Sequence, residues 1–163
     1  MWTSIAVVLA LLIGTGAVLQ GVSLLQRRKA RSVIPEAEVQ HTLNGVSLRV
    51  ETRGRTTLPG MNSGRANRTR GDLVVAADRF VLASARGRLV DIRPGTPRLS
   101  SVRSPGPGRL VLEGTSGIRG SEGTPGAYRI ELVVEDARKW VEILTPFADS
   151  TTAGLPKALI LDL

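Results

Sequence analysis

The first strong pattern in the chain is an uncharged apolar run at its start. Residues 1–26 contain no charged side chain, and residues 5–19 are almost wholly apolar. At about 1.5 Å of rise per residue, a helix of this length spans a hydrocarbon core of roughly 30 Å. We therefore predict a transmembrane helix over 1–26. The alternative, a cleaved signal peptide, would need basic residues before a shorter apolar run and a small-x-small cleavage site.

Basic residues follow the apolar run directly, at Arg27, Arg28, Lys29 and Arg31. By the positive-inside rule this cluster predicts an N-terminus outside the cell and a cytoplasmic remainder. The expected location is thus the plasma membrane, crossed once. Residues 27–40 are interpreted as a basic juxtamembrane linker.

Small residues recur at spacings of three and four along one face of the predicted transmembrane helix. They include Ala10, Gly14, Ala17 and Gly21. Such a face lets a second helix approach closely, which favours a homo-oligomer or a contact within a larger assembly. Small residues are also common in membrane helices in general, so both interpretations stay open.

Beyond residue 40 the pattern changes to short runs of alternating or continuous apolar residues, separated by glycine and proline turns. These runs predict strands at 46–50, 73–77, 80–84, 89–92, 109–113 and 128–134. Short strands with such turns are typical of an antiparallel barrel or sandwich.

After Asp136, a candidate N-cap, apolar residues recur at helical spacing. They are Ala137, Trp140, Val141, Leu144 and Phe147 or Ala148. The stripe predicts one amphipathic helix that covers the open end of the β structure, with Phe80, Trp140 and Leu144 in the core. We expect a mainly β domain over 41–148, closed by this helix, and a tail over 149–163.

Two segments carry a resemblance to a known family. Asp72–Leu82 resembles the second and third strands of bacterial pleckstrin-homology-like (PH-like) and GRAM-like domains, and Glu135–Val141 resembles their closing helix, whose tryptophan packs into the barrel. The whole chain also resembles small actinobacterial membrane proteins that join one N-terminal helix to such a domain. The resemblance implies a PH-like fold and a binding function for protein or lipid.

The charge of the chain is unevenly distributed. The formal net charge is +8, and residues 49–70 hold six basic residues against Glu51 alone, whereas residues 113–163 are net acidic. A basic segment beside a membrane favours anionic lipid headgroups over nucleic acid as a partner.

The residue types that catalysis needs are scarce. The chain has no cysteine and one histidine, His41, without metal-ligand partners at useful spacing. It contains no Walker, G-x-G-x-x-G or G-x-S-x-G motif. We therefore predict a protein that is not an enzyme and uses no cofactor or metal.

The strongest candidate site is an arginine set in and around the first long loop, at Arg53, Arg55, Arg65, Arg68 and Arg70. If Arg68 and Arg70 open the second strand, their spacing of two places both on one face, where paired guanidinium groups can hold a phosphate. In the resembling PH domains, basic residues of the first hairpin bind phosphoinositide headgroups, and that role would fall on Arg65, Arg68 and Arg70. The family's usual first-strand lysine is not evident here. A solvated loop without a ligand is the alternative.

These observations favour a non-catalytic, membrane-anchored module that binds protein partners at the cytoplasmic face. Two alternatives are an anionic-lipid-binding module using the Arg53–Arg70 loop and an accessory subunit of a larger membrane, for example transport, assembly. The apolar tail Leu155–Leu163 packs on its own domain, adds a strand to a sheet edge or docks on a partner, and these alternatives stay open.

Overall fold

A computed structural model of the chain describes residues 32–54, 58, 64, 66–94, 96, 98–116 and 126–148. The predicted transmembrane helix with its small-residue face, the basic cluster at 27–31, the side chains of Arg55 and Arg65, and the tail at 149–163 lie outside these residues. Within the described part, no helix has the length and hydrophobicity needed to cross a bilayer.

Antiparallel strands form one curled, half-barrel sheet. The strands are β1 (His41–Arg53), β2 (Ala66–Val75), β3 (Phe80–Ser84), β4 (Gly87–Ile92), β5 (Ser101–Gly106), β6 (Arg109–Ser116) and β7 (Gly126–Val133). Their spatial order is β4-β3-β2-β1-β7-β6-β5, so the first and last of these strands, β1 and β7, are neighbours within the sheet.

The concave face of the sheet holds the main core because alternate residues point inward. On β1 these are Leu48 and Val50, and on β7 they are Ile130 and Leu132, all of them buried. Leu48 pairs with Leu132 and Val50 with Ile130 across the ladder. This period of two puts the residues between them, which are charged, on the convex face.

Helix α1 (Ala137–Leu144) follows β7 and packs against β5 and β6. The Asp136 side chain caps it by accepting a hydrogen bond from the Lys139 N–H at 3.1 Å. Trp140 and Leu144 are buried in the main core, and so is Phe80, whose ring meets Phe147 edge to face at 5.3 Å. The expectation of a mainly β, antiparallel fold with one C-terminal helix is confirmed.

The pattern of apolar residues does not predict β5. Its sequence, Ser101–Gly106, lacks alternation and contains Pro105. The strand lies at the edge of the sheet, where proline removes no hydrogen bond that a neighbour needs. It forms because the neighbouring strand β6 presents the backbone N–H and C=O groups with which β5 pairs.

A second, smaller cluster covers part of the convex face. Ile34, 4% exposed, packs with Val74 of β2 and Val81 of β3, and Val39 packs beside it. The Gln40 N–H donates to the Val75 carbonyl at 2.9 Å. Residues 34–40, which the sequence places in the linker, therefore lie against the sheet.

In the segment between β4 and β5, the Arg98 carbonyl is one of the points of attachment to the sheet. The Arg98 carbonyl accepts hydrogen bonds from the Tyr128 hydroxyl at 2.6 Å and from the Thr115 N–H at 3.1 Å. A Cβ at Gly114 would collide with this carbonyl and with the Tyr128 hydroxyl. Glycine is required there for the close approach.

Candidate functional site

The convex face of β1 and β2 carries a row of arginines. The register places Arg49 directly opposite Arg68, and Ser47 opposite Arg70. Arg68 and Arg70 are exposed, as expected from their spacing of two on one strand. The guanidinium groups of two neighbouring strands thus share one surface.

Across the other edge of β1, charges alternate in sign. Arg49 bonds Glu51 along its own strand at 2.8 Å, and Arg129 bonds Glu131 along β7 at 2.9 Å. The register sets Arg49 opposite Glu131 and Glu51 opposite Arg129. Opposite charges in facing positions stabilise a strand pair, so these four side chains largely compensate one another.

A further carboxylate of this face, Glu113 on β6, is almost fully buried and strongly held. It accepts hydrogen bonds from Arg103 at 2.7 Å and from the Ser101 hydroxyl at 3.0 Å, and Arg129 Nε lies 3.8 Å away. Arg49, Arg103 and Arg129 therefore hold Glu51, Glu113 and Glu131. The other carboxylates of this face are also engaged, because Asp72 accepts a hydrogen bond from the Gly45 N–H at 2.7 Å and Asp91 pairs with Arg79 and Arg88.

Three arginines of the convex face remain without an acidic partner. Within the described part of the chain, the side chains of Arg68, Arg70 and Arg109 make no ion pair or hydrogen bond. Arg68 also stands opposite Arg49, and like charges in facing positions destabilise a strand pair. A bound anion would offset this repulsion.

An open cleft of about 470 Å³ lies where β1 ends beside β7. Its lining residues are Arg49, Glu51, Thr52, Arg53, Gly64, Ala66, Arg129 and Glu131. Arg129 Nε is buried without a hydrogen-bond acceptor in the described residues. The cleft is lined by side chains of both charge signs, and Arg68 and Arg70 are not among its lining residues.

The described residues offer little for metal or acid–base chemistry. They contain no group of three or more histidine, cysteine, aspartate or glutamate side chains placed to hold a metal ion. His41 opens β1, and its ring meets Trp140 edge to face at 6.2 Å. The Tyr128 hydroxyl is buried, and burial raises its pKa above the usual range.

Of the five arginines of the candidate set, three lie in the described part of the chain, and only Arg68 and Arg70 are close neighbours. Arg53 lines the cleft, whereas Arg68 and Arg70 lie along β2. Arg49 and Arg109 were not among the arginines predicted from the sequence. Arg49 alternates with buried Leu48 and Val50, so its outward position is visible in the period of two. Arg109 has no such local signal, because only the ladder order brings β6 near this face.

In comparisons with known proteins, the chain matches no protein-family model and no curated protein sequence. The site is therefore interpreted from its own geometry.

Proposed function

We propose that this protein is a non-catalytic, membrane-anchored interaction module with a PH-like domain. Its β1–β2 face contacts the anionic headgroups of the cytoplasmic leaflet in which the chain is anchored. The observation that carries this proposal is the pair Arg68 and Arg70, exposed without acidic partners beside Arg49. Such a pair is suited to phosphate groups, which guanidinium forks bind in a bidentate manner.

The path of the chain supports a leaflet as the source of the phosphate. Ile34 packs on the convex face of β2 at Val74, and Arg70 lies four residues away on the same face, about 13 Å along the strand. Only a few residues separate Ile34 from the basic cluster at 27–31. An anchor before this cluster keeps the convex face of β2 close to the bilayer.

The PH-like part of the proposal is supported only at the level of architecture. An antiparallel sheet followed by one C-terminal helix is what the resemblance implies. Fold alone selects no ligand, so the arginine geometry rather than the fold carries the functional argument.

The expected strength of the contact is modest. Each arginine near an anionic surface contributes about 1 kcal/mol, or about a fivefold change in an equilibrium. Two arginines are insufficient for tight binding from solution, but they are sufficient to orient a domain that is already tethered. The proposal therefore concerns orientation at the bilayer, not recruitment to it.

The test uses the full chain reconstituted in vesicles of phosphatidylcholine, alone or mixed with phosphatidylglycerol. A donor fluorophore on a single cysteine at Glu142, exposed on α1, reports energy transfer to a headgroup dye. Transfer should change when the anionic lipid is added. The double variant Arg68→Glu with Arg70→Glu should reduce the docked population at least about tenfold.

A double variant with the same charge change, Arg93→Glu with Arg138→Glu, is the matched control, since both residues are exposed away from the β1–β2 face. This control should behave like the wild type. Energy transfer that does not change when anionic lipid is added, or that changes by the same amount in both double variants, would overturn the leaflet contact.

A further inference from the structure

One exposed apolar side chain stands out on the convex face. Val133 is 63% exposed, and it is the one large hydrophobic residue that is exposed in the described part of the chain. It is the last residue of β7, on the same face as Glu131 and Arg129. Leaving a valine in water at the centre of a sheet forgoes the stabilisation that burial gives.

The neighbours of Val133 across the sheet are basic or neutral. On β6, Arg109 is its direct ladder partner. On the β1 side, Ser47 precedes Leu48, the partner of Leu132, and Ser47 faces Arg70 on β2. With strands about 4.8 Å apart, Val133 lies about 5 Å from the strand of Arg109 and about 10 Å from that of Arg70.

Both flanking arginines belong to the set without acidic partners, and the nearest carboxylate on the same strand, Glu131, is held by Arg129. Asp72, two residues beyond Arg70 on β2, is buried and accepts a hydrogen bond from the Gly45 N–H. The exposed surface is therefore one valine with an arginine on either side, and neither arginine is in an ion pair within the described residues. We call Arg70, Ser47, Val133 and Arg109 the Val133 band. An apolar side chain between arginines matches the boundary between phosphates and acyl chains in a bilayer.

The position of the band along the strands agrees with the path of the chain. Because neighbouring strands are antiparallel, β1 begins, β2 ends and β7 ends at the same end of the sheet. Residues 34–40 reach the sheet at this end, where Gln40 bonds Val75. Arg53, by contrast, lies at the opposite end of β1.

We propose that Val133 inserts into the interfacial layer of the bilayer while Arg70 and Arg109 hold phosphates on either side of it. The inference rests on the proposed leaflet contact and adds a binding surface on β6 and β7. It implies that the convex face of the sheet, and not the loop between β1 and β2, faces the bilayer surface.

The chain has no cysteine, so a single cysteine can be labelled cleanly. In the full chain reconstituted as above, an environment-sensitive fluorophore on Val133→Cys should shift to shorter emission wavelength. It should also become protected from aqueous iodide when phosphatidylglycerol is present. The same fluorophore on Arg98→Cys, exposed in the segment before β5, is the matched control and should stay accessible.

Two unlabelled variants check that the fluorophore does not create the contact. Val133→Ser should weaken docking roughly fivefold through lost apolar area. Arg109→Glu should weaken it at least fivefold, whereas Arg93→Glu should not. All substituted side chains are exposed, so folding should be kept.

The outcomes separate this inference from the proposed function. If docking depends on Arg68 and Arg70 while the fluorophore at position 133 stays accessible to iodide, the Val133 band is overturned and the leaflet contact stands. If anionic lipid changes neither the energy transfer nor the fluorescence at position 133, both the leaflet contact and the insertion of Val133 are overturned. Protection at position 133 equal to that at position 98 would also contradict insertion.

Discussion

At the scale of single residues, Tyr128 shows how one polar atom is accommodated in the core. The side chain is 5% exposed, and its hydroxyl donates to the Arg98 carbonyl. Burial disfavours the charged phenolate and so raises the pKa of Tyr128 above its usual value near 10. Because the folded-state pKa exceeds the unfolded one, the protein holds this proton more tightly when folded.

The sign of this linkage gives a prediction for high pH. The contribution of Tyr128 to stability should be complete below about pH 10 and should be lost as the pH rises above it, by up to about 1.4 kcal/mol per pH unit. Tyr128→Phe should abolish this dependence and cost about 1 kcal/mol at neutral pH through the lost hydrogen bond.

Tyr128 is the only tyrosine in the chain, so tyrosinate absorbance monitors it directly. Urea unfolding of the wild type and of Tyr128→Phe across the alkaline range measures how the free energy of unfolding depends on pH. Titratable groups that the two proteins share cancel in the difference between them. Tyrosinate formation near pH 10 in the folded protein would contradict the prediction. So would an equal alkaline slope in both proteins.

At the scale of elements, one ion pair fastens the β2–β3 turn to β4. Arg79 donates two hydrogen bonds to the Asp91 carboxylate, at 2.7 and 2.6 Å, and Arg88 adds a third at 3.0 Å. The hydrogen bond from Arg79 is the main cause that lowers the pKa of Asp91, and it outweighs the opposing effect of burial. A bidentate pair of this kind fixes the relative orientation of the two side chains as well as the distance between them.

Asp91→Asn should destabilise the fold by about 1 kcal/mol at neutral pH, since the pair is partly solvated. Because the folded-state pKa of Asp91 is lowered, its stabilisation is present above about pH 4 and is lost as the pH falls further. The difference between wild type and variant should therefore shrink in acid. Thermal unfolding at neutral and acidic pH measures it.

Asp78→Asn is the matched control, because Asp78 is an exposed carboxylate in the same turn and forms no ion pair within the described residues. It should change stability by less than about 0.5 kcal/mol. A deficit for Asp91→Asn that stays constant down to strongly acidic pH would show that packing, not charge, is responsible.

At the scale of the whole molecule, residues 34–40 join the N-terminal part of the chain to the domain as a packed element. Ile34 fills the small cluster over β2 and β3, with Val74, Ala76 and Val81 beneath it. Because this contact is buried, the direction in which the chain enters the sheet is fixed. Under the proposed leaflet contact, this fixed entry would let a weak arginine contact set the orientation of the domain.

Ile34→Ala should cost about 2 kcal/mol of folding stability, as a buried aliphatic truncation does. In reconstituted full chain it should also broaden the distribution of transfer distances in the orientation assay. Glu36→Ala, at an exposed site in the same segment, is the control and should alter neither quantity. An unchanged stability for Ile34→Ala would mean that the segment is only loosely attached.

Much of the architecture follows from local pattern. The period of two along β1 and β7 and the change to a helical period after Asp136 predict a mainly β fold closed by α1, because alternation and helical spacing depend only on neighbours in the chain. The same logic put Arg68 and Arg70 on one face. β5 lacked a pattern because its stability comes from its partner β6.

What the sequence by itself determined is the set of element types, the apolar stripes and the concentration of arginines between residues 49 and 70. Only the tertiary structure decided which of these arginines are compensated. The register of the strand pairs places Arg49 opposite Arg68 and Arg109 opposite Val133. It also brings Glu113 within ion-pair distance of Arg103. Register joins residues far apart in the chain through hydrogen bonding and core packing, and no local pattern carries that information.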